Sequence, residues 1–161
     1  MKKYLVVGNP INHSLSPQLH NHWIKINKIN AVYEKRKINE KEIEELIHDL
    51  KNEKISGINV TVPYKQKVIP YLDELTIEAK KTNSVNTIFL GTSGIIGHNT
   101  DIEGFKESLK YAGYDVKNKN ILILGAGGVV PSIIFALINL QAGNIVISNR
   151  TREKAENLKK N

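Results

Sequence analysis

Short apolar runs alternate along this chain with longer stretches in which apolar residues recur every three or four positions. The short runs are typical of β-strands, and the longer stretches are typical of helices with one buried face. The strands predicted in this way are 4–7, 31–38, 57–62, 86–90, 95–98, 121–124 and 144–148. Repeated strand–helix–strand units predict an α/β fold with a mainly parallel sheet.

The helical stretches have recognisable starts. Ser16 is predicted to cap the first helix and Pro17 to occupy its first position, with Leu19, Trp23 and Ile26 facing inward. Asn39 is predicted to cap the second helix. The inward positions of that helix are Ile43, Leu46, Ile47 and Leu50. The other predicted helices are a short one that carries Lys65, then 75–82, 101–113, 129–140 and 152–160.

We predict a domain boundary near residue 100. Residues 1–100 are expected to form a three-layer domain, and residues 101–161 the start of a Rossmann-like domain. Strands 121–124 and 144–148 are so apolar that they are predicted to be buried on both faces. A complete dinucleotide-binding sheet needs roughly six strands, and only two fit after residue 120. We therefore expect a truncated second domain and little or no turnover by this chain alone.

Composition narrows the function classes. Among the 161 residues, 23 Lys and Arg stand against 16 Asp and Glu, which gives a net charge of +7. These charges are scattered over helical faces without an aromatic–basic platform, so a solvated surface is favoured over a nucleic-acid interface. The absence of cysteine excludes disulfides and thiolate metal sites. The apolar run near the N-terminus is too short for a signal core or a membrane span, so we expect a cytoplasmic protein.

A glycine-rich turn follows strand 121–124 and opens a helix. Gly125, Ala126, Gly127, Gly128 and Val129 form it. In a dinucleotide site the first glycine allows the tight turn, the second lets the pyrophosphate approach the backbone, and the helix N-terminus attracts phosphate charge. An ordinary tight turn would explain one such motif equally well, so a second signal is needed.

The second signal stands at the end of the next strand. Asn149, Arg150, Thr151, Arg152 and Lys154 occupy the position where NAD enzymes carry an acidic residue for the ribose hydroxyls. An arginine there accommodates a 2′-phosphate instead. The two signals together favour NADP as the cofactor.

Polar side chains in the first domain indicate a small anionic ligand. Ser14 and Ser16 lie two positions apart at a helix start, where two hydroxyls and free backbone N–H groups would cradle a carboxylate. Asn59 and Thr61 alternate with buried valines at the end of a strand, as in a ligand-facing wall or an exposed edge. Lys65 follows, and taken alone it reads as an ordinary surface lysine.

Taken together these motifs resemble the shikimate dehydrogenase family, and the resemblance covers the whole chain. The matching segments, in order, are 13–17, 59–65, 84–87, 98–104, 125–128 and 149–151. The resemblance implies NADP-dependent, reversible reduction of 3-dehydroshikimate to shikimate, in aromatic amino-acid biosynthesis. The valines and proline at 129–131 depart from the small residues that often follow the family's glycines.

The resemblance also implies roles for individual residues. Ser14 and Ser16 resemble the family's carboxylate anchors. Lys65 resembles its catalytic acid/base, with Asp101 beside it. The set that would bind the substrate hydroxyls comprises Asn59, Thr61, Asn86 and Asp101. The residues that would hold NADP are Gly125, Ala126, Gly127, Gly128, Val129, Asn149, Arg150, Thr151, Arg152 and Lys154.

Two other functions remain open from the sequence alone. The chain could be a non-catalytic module that binds shikimate-like ligands, or a paralogue that also accepts quinate or uses NAD. We expect a small-molecule substrate, no metal, no nucleic-acid or membrane partner, and a monomer or homodimer.

Overall fold

The structure, a computed structural model, describes residues 1–159. Its strands are β1 (Lys2–Gly8), β2 (Ala31–Lys37), β3 (Gly57–Val60), β4 (Glu74–Leu75), β5 (Thr87–Gly91), β6 (Gly94–His98), β7 (Ile121–Leu124) and β8 (Ile145–Ser148). Its α-helices are α1 (Ser16–Ile26), α2 (Ile43–Lys51), α3 (Ile77–Thr82), α4 (Asp101–Tyr111), α5 (Val130–Asn139) and α6 (Arg152–Lys159). The predicted helix 152–160 ends on a residue outside the described range.

A six-stranded mixed sheet organises the first part of the chain. Its strand order is β2-β1-β3-β5-β6-β4. The pairs β2-β1, β1-β3 and β6-β4 are parallel, whereas β5 runs antiparallel to both of its neighbours. The strands predicted at 86–90 and 95–98 are therefore present as the antiparallel pair β5 and β6. The mainly parallel α/β fold is confirmed.

Helices cover both faces of this sheet. Successive side chains of a strand point to opposite faces. Leu5 and Val7 of β1 accordingly join the core under α2, while Val6 packs on the other side with Tyr33 and Ile24 of α1. The four predicted inward residues of α2 are all buried. The sheet and its two helix layers form the predicted three-layer unit.

The first helix differs from its prediction in two respects. It begins at Ser16 with Leu15 at the cap position, so Ser16 is not the cap. Leu19, Trp23 and Ile26 are exposed rather than inward. Ile24 makes the contact with the sheet instead. Periodicity identified a helix with an apolar stripe, but the stripe does not face this sheet.

The segment after β3 also differs from its prediction. Lys65 lies in a series of turns rather than on a short helix. Residues 74 and 75 pair with β6 as a short strand. The following helix is therefore shorter than predicted and starts after Thr76, whose hydroxyl accepts from Ala79 N. A side-chain cap of this kind stops the helix from extending backward.

A second, two-stranded parallel sheet pairs β7 with β8. Both strands were predicted to be buried on two faces, and that prediction is wrong for residues 1–159. Leu122 and Leu124 are 61% and 79% exposed, and Val146 is 58% exposed. Ser148 is exposed too, and only the four isoleucines of the two strands are partly buried. Apolar composition alone does not show which face of a strand is covered.

Candidate active site

The carboxyl edge of the six-stranded sheet holds the polar residues that the sequence singled out. Lys65 follows β3, Asn86 precedes the antiparallel β5, and Asp101 follows β6. Because β3 and β6 run in one direction and β5 in the other, all three positions come to the same edge. They line a cleft of about 700 Å³. Its other polar lining residues are Tyr4, Ser16, His20, Tyr33, Asn59, Thr61, Thr87 and Thr100.

Lys65 and Asp101 form an ion pair on the wall of this cleft. The distance from Lys65 Nζ to Asp101 Oδ2 is 2.7 Å, and the two side chains are 14% and 21% exposed. Asn86 Nδ2 donates to the other carboxylate oxygen, Asp101 Oδ1, at 2.8 Å. The carboxylate is thus held from two sides and fixes the direction of the ammonium group. A short charge-assisted bond in a partly desolvated place orients more strongly than an exposed pair does.

Asn86 is itself fixed by the residues around it. Its Oδ1 accepts from Thr100 N at 3.0 Å and from the Thr87 hydroxyl at 3.0 Å. Its side-chain amide therefore has one orientation, with Nδ2 toward Asp101. The predicted polar wall becomes a connected set of donors and acceptors rather than an exposed sheet edge.

Asn59 lies in the middle of this wall. Its Nδ2 donates to Asn86 O at 3.2 Å and to Thr87 Oγ1 at 3.0 Å. Its Oδ1 accepts from the Tyr33 hydroxyl at 2.7 Å. Thr61, two residues further along the chain, lines the same cleft. The strand ends at Val60, which is buried as predicted, whereas Val62, also predicted to be buried, is 56% exposed.

Tyr33 and His20 belong to the site but were not predicted from the sequence. Tyr33 is 4% exposed, and burial raises the pKa of its hydroxyl to about 12, so the phenol stays protonated and acts as a donor. The His20 ring stacks on Tyr33, with centroids 4.1 Å apart and planes 6° apart. Burial lowers the pKa of His20. The signal for Tyr33 was its position on β2, where a large aromatic residue directly precedes the charged residues 34–37.

The two serines occupy adjoining parts of the site. Ser16 lines the main cleft, whereas Ser14 lines a neighbouring cavity that shares Ser16 and Thr61 with it. Ser14 Oγ accepts from Ser16 N at 3.3 Å. This contact holds the loop before α1 against the first turn of the helix. The first-turn N–H groups of a helix carry partial positive charge, which suits an anionic group.

The glycine turn between β7 and α5 is tight at its first residue and open above the residues that follow. Gly125 has φ +114°, a conformation that L side chains rarely adopt. A Cβ added at Gly127 or Gly128 would meet no other atom within 4 Å, so the space above this backbone is open. Val129 is the cap residue of α5. The turn therefore fits a dinucleotide pyrophosphate at the N-terminus of α5.

The basic segment after β8 lies beside this turn. The parallel register places Leu124 opposite Ser148, so Gly125 and Asn149 leave the sheet at the same edge. Arg150 follows and is exposed. The side-chain amide of Asn149 donates to Thr151 O at 2.7 Å, which closes a tight turn.

The other predicted cofactor residues in this segment lie on α6. Arg152 pairs with Glu156 at 2.7 Å, so its guanidinium has a partner within its own helix. Lys154 N donates to Thr151 O in the first turn. Arg150 therefore stands at the strand end beside the glycine turn, whereas Arg152 and Lys154 lie on α6.

Within residues 1–159 neither a metal-binding cluster nor a membrane-spanning helix is found. In this range no group of three or more His, Cys, Asp or Glu side chains is placed to hold a metal ion. None of the helices within it is both long and apolar enough to cross a membrane.

The fold and the site together define a class of protein. The first part of the chain forms a cleft with a lysine–carboxylate pair. The part that follows contains a strand–turn–helix unit with an open glycine loop, as in α/β proteins that bind a dinucleotide. Residues 6–88 match the family described as "Shikimate dehydrogenase substrate binding domain", and residues 107–161 match "Shikimate / quinate 5-dehydrogenase". The chain belongs to the shikimate dehydrogenase family.

Individual relatives agree with this placement. Shikimate dehydrogenase (NADP(+)) of Pelagibacter ubique is 59% identical over 99% of this chain. The crystal structure of shikimate dehydrogenase from Aquifex aeolicus superposes with a TM-score of 0.92 at 41% identity, over 99% of this chain. A Thermus thermophilus enzyme, solved in complex with NADP(H) and shikimate, gives 0.89 at 31% identity, also over 99%. The chain spans about 60% of the length of each of these relatives.

Proposed function

We propose that this chain provides the shikimate site and the first part of the NADP site of an NADP-dependent shikimate dehydrogenase. The observation that carries the proposal is the Lys65–Asp101 pair, held by Asn86 inside a cleft lined with hydroxyl and amide groups. Residues 1–100 form the substrate and catalytic domain in this proposal, and residues 101–161 begin the cofactor domain.

The substrate in this proposal is a ring that carries one carboxylate and several hydroxyls. Ser14 and Ser16, with the first turn of α1, bind the carboxylate. The amides and hydroxyls of Asn59, Thr61 and Asn86 bind ring hydroxyls. The cleft supports this division because Ser16 lines it as well as Asn59 and the Lys65–Asp101 pair. Such a site prefers a polyhydroxylated acid, since an analogue that lacks a hydroxyl would leave a polar group of the wall unpaired.

Lys65 is the acid/base of the reaction. During reduction its ammonium group donates a proton to the oxygen of the substrate ketone. During oxidation the neutral amine takes the proton from the substrate hydroxyl. Asp101 contributes by holding Nζ at 2.7 Å and by presenting a carboxylate oxygen to a ring hydroxyl. General acid/base catalysis by a positioned side chain contributes about 10²–10⁴-fold to the rate.

The cofactor residues fit NADP at the second sheet. Bound NADP(H) supplies or accepts the hydride of the reaction. Gly125, Ala126, Gly127, Gly128 and Val129 would hold the pyrophosphate against the N-terminus of α5. The 2′-phosphate would be held by Arg150, with help from the adjoining residues Asn149, Thr151, Arg152 and Lys154. The exposed position of Arg150 beside the glycine turn supports this assignment.

We also propose where the protein is located and how it assembles. We place it in the cytoplasm, because a cysteine-free sequence suits a compartment in which disulfides do not persist. We propose a monomer or a homodimer, and light scattering on the purified protein decides between them.

Calorimetric titration of shikimate into the chain tests the proposed site. The wild type should bind, and Ser14→Ala should weaken binding by about 1–3 kcal/mol, the value of a hydrogen bond to a charged group. Ser108→Ala is the matched control, because the Ser108 hydroxyl donates to Phe105 O on the exposed side of α4. Its affinity should equal that of the wild type. An absence of binding, or equal affinity in all three proteins, contradicts the proposal.

A further inference from the structure

Asn99 is a buried polar residue directly before the helix that carries Asp101. It lies between the end of β6 and the start of α4 and is 1% exposed. A buried amide is stable only when its donors and acceptor are all satisfied. The partners of Asn99 come from three separate segments of the chain, which makes this side chain a junction.

The carbonyl oxygen of Asn99 acts on Asp101. Asn99 Oδ1 accepts from Asp101 N at 2.9 Å. This bond satisfies one of the free N–H groups at the start of α4, where the cap residue Thr100 makes no side-chain capping bond. It also fixes the backbone from which the Asp101 carboxylate projects toward Lys65.

The amide nitrogen of Asn99 acts on the segment that holds Lys65. Asn99 Nδ2 lies 2.9 Å from Ser84 O and 3.1 Å from Thr82 Oγ1. The next residue, Val85, donates its backbone N–H to Lys65 O at 2.8 Å. The backbone of Lys65 is therefore tied to the same side chain that ties the backbone of Asp101.

A third contact reaches the helix that follows the glycine turn. Asn99 Nδ2 lies 2.9 Å from the hydroxyl of Ser132, which is fully buried near the start of α5. This hydroxyl links the junction to α5. Because α5 follows the glycine turn, it also connects the junction to Gly127 and Gly128. Asn99 thus contacts the segments that hold Lys65 and Asp101, and also the helix that follows the glycine turn.

We propose that Asn99 is a positioning residue for the Lys65–Asp101 pair, and that Ser132 joins this junction to the start of α5. The inference rests on the proposed function for its catalytic meaning. Its geometry, however, can be tested without turnover. Asn99 acts through its neighbours, since it is absent from the lining of the cleft.

Amide hydrogen exchange of the 161-residue chain measures the junction directly. In Asn99→Ala the amides of Asp101 and Val85 should exchange at least about tenfold faster, because their segments lose the shared anchor. Shikimate affinity should fall about tenfold or more. Asn52→Ala is the matched control, since Asn52 makes its side-chain bond to His48 O at an exposed helix end. That variant should change neither exchange at Asp101 and Val85 nor affinity.

Asn99→Ser separates the two halves of the side chain. A serine hydroxyl accepts from the N–H two residues later in this chain, as Ser14 does for Ser16. The serine should therefore restore slow exchange at Asp101 while Val85 stays fast. A residue with a merely structural role would not give this split, and the serine variant also keeps the test decisive if the alanine variant does not fold.

Ser132→Ala tests the link to α5. It keeps the bond from Asp101 N to Asn99, so exchange at Asp101 should stay within about twofold of the wild type. Exchange at Ile133, whose N–H donates to Val129 O in the first turn of α5, should become about threefold faster. Unchanged exchange at Ile133 removes Ser132 from the proposal.

The outcomes separate this inference from the proposed function. If the wild type binds shikimate but exchange at Asp101 and Val85 is unchanged in Asn99→Ala and Asn99→Ser, Asn99 is not a positioning residue and the proposed function stands. If the wild type does not bind shikimate, the proposed function fails, while the exchange pattern still decides the role of Asn99.

Discussion

Replacing Tyr33 by phenylalanine removes one oxygen atom from the site and leaves the ring in place. The lost bond is the 2.7 Å donation from the Tyr33 hydroxyl to Asn59 Oδ1. Because no cavity forms, the cost is that of a partly buried acceptor without its partner, about 1–3 kcal/mol of unfolding free energy. The Asn59 amide is then held only by its two Nδ2 contacts, and its Oδ1 is no longer fixed by a donor. We expect shikimate affinity to fall about tenfold, which corresponds to about 1.4 kcal/mol.

Tyr64→Phe is the matched control for this variant. Tyr64 is as buried as Tyr33, and its hydroxyl donates to Ile38 O at 2.8 Å in the core on the other face of the sheet. Urea unfolding should show similar losses of stability for the two variants. Calorimetry should show weaker shikimate binding only for Tyr33→Phe. Equal affinity in both would refute the reasoning that Tyr33 orients Asn59.

Three further predictions follow from other parts of the structure. In Gly8→Ala the new Cβ would lie 2.5 Å from Thr61 Cγ2, so the free energy of unfolding should fall by about 1–3 kcal/mol and shikimate affinity should fall as well. Thermal melts and calorimetric titration measure the two effects, and no change in either would show that Thr61 is free to move. The hydrogen bond from Ile95 N lowers the pKa of Asp73 in the folded protein. The charged carboxylate therefore stabilises the fold at a pH above the ordinary pKa of aspartate, and this stabilisation is lost as the pH falls through the lowered pKa. Asp73→Asn should therefore lower the Tm at about pH 7. The difference in Tm from wild type should shrink as the pH falls below the ordinary pKa of an aspartate, and a constant difference counts against this reasoning. Arg150→Asp should reduce the ratio of NADP⁺ to NAD⁺ affinity by about tenfold or more, and an unchanged ratio in fluorescence titrations would remove Arg150 from the cofactor site.

Local patterns were enough to predict most of the elements and much of the candidate site. Ile43, Leu46, Ile47 and Leu50 are buried as their spacing predicts, because one helix face meets a single core. For Lys65, its place in the chain after a central strand decided whether it joined the site, and its local structure did not. It follows a strand of the central sheet, so it reaches the edge where Asp101 lies, although it stands on a turn rather than on a helix.

Contacts between distant segments were not accessible to the same reasoning. Tyr33 and Asn59 are separated by 26 residues and meet only because β2 and β3 both pair with β1. The stripe of Leu19 and Trp23 was predicted to face inward, but which surface of a helix is covered depends on what packs beside it. The same reason explains the exposed face of β7, whose apolar residues were predicted to be buried.

In the proposed mechanism Lys65 transfers the proton within the shikimate cleft, and the kinetics of shikimate oxidation measure this role. Residues 1–161 can be joined to the part of the Pelagibacter ubique relative that this chain does not cover, and shikimate oxidation with NADP⁺ can be followed for the wild type and Lys65→Ala. We expect kcat to fall by about 10²–10⁴-fold in the variant while shikimate binding stays much closer to normal. Wild-type turnover by Lys65→Ala would contradict the account.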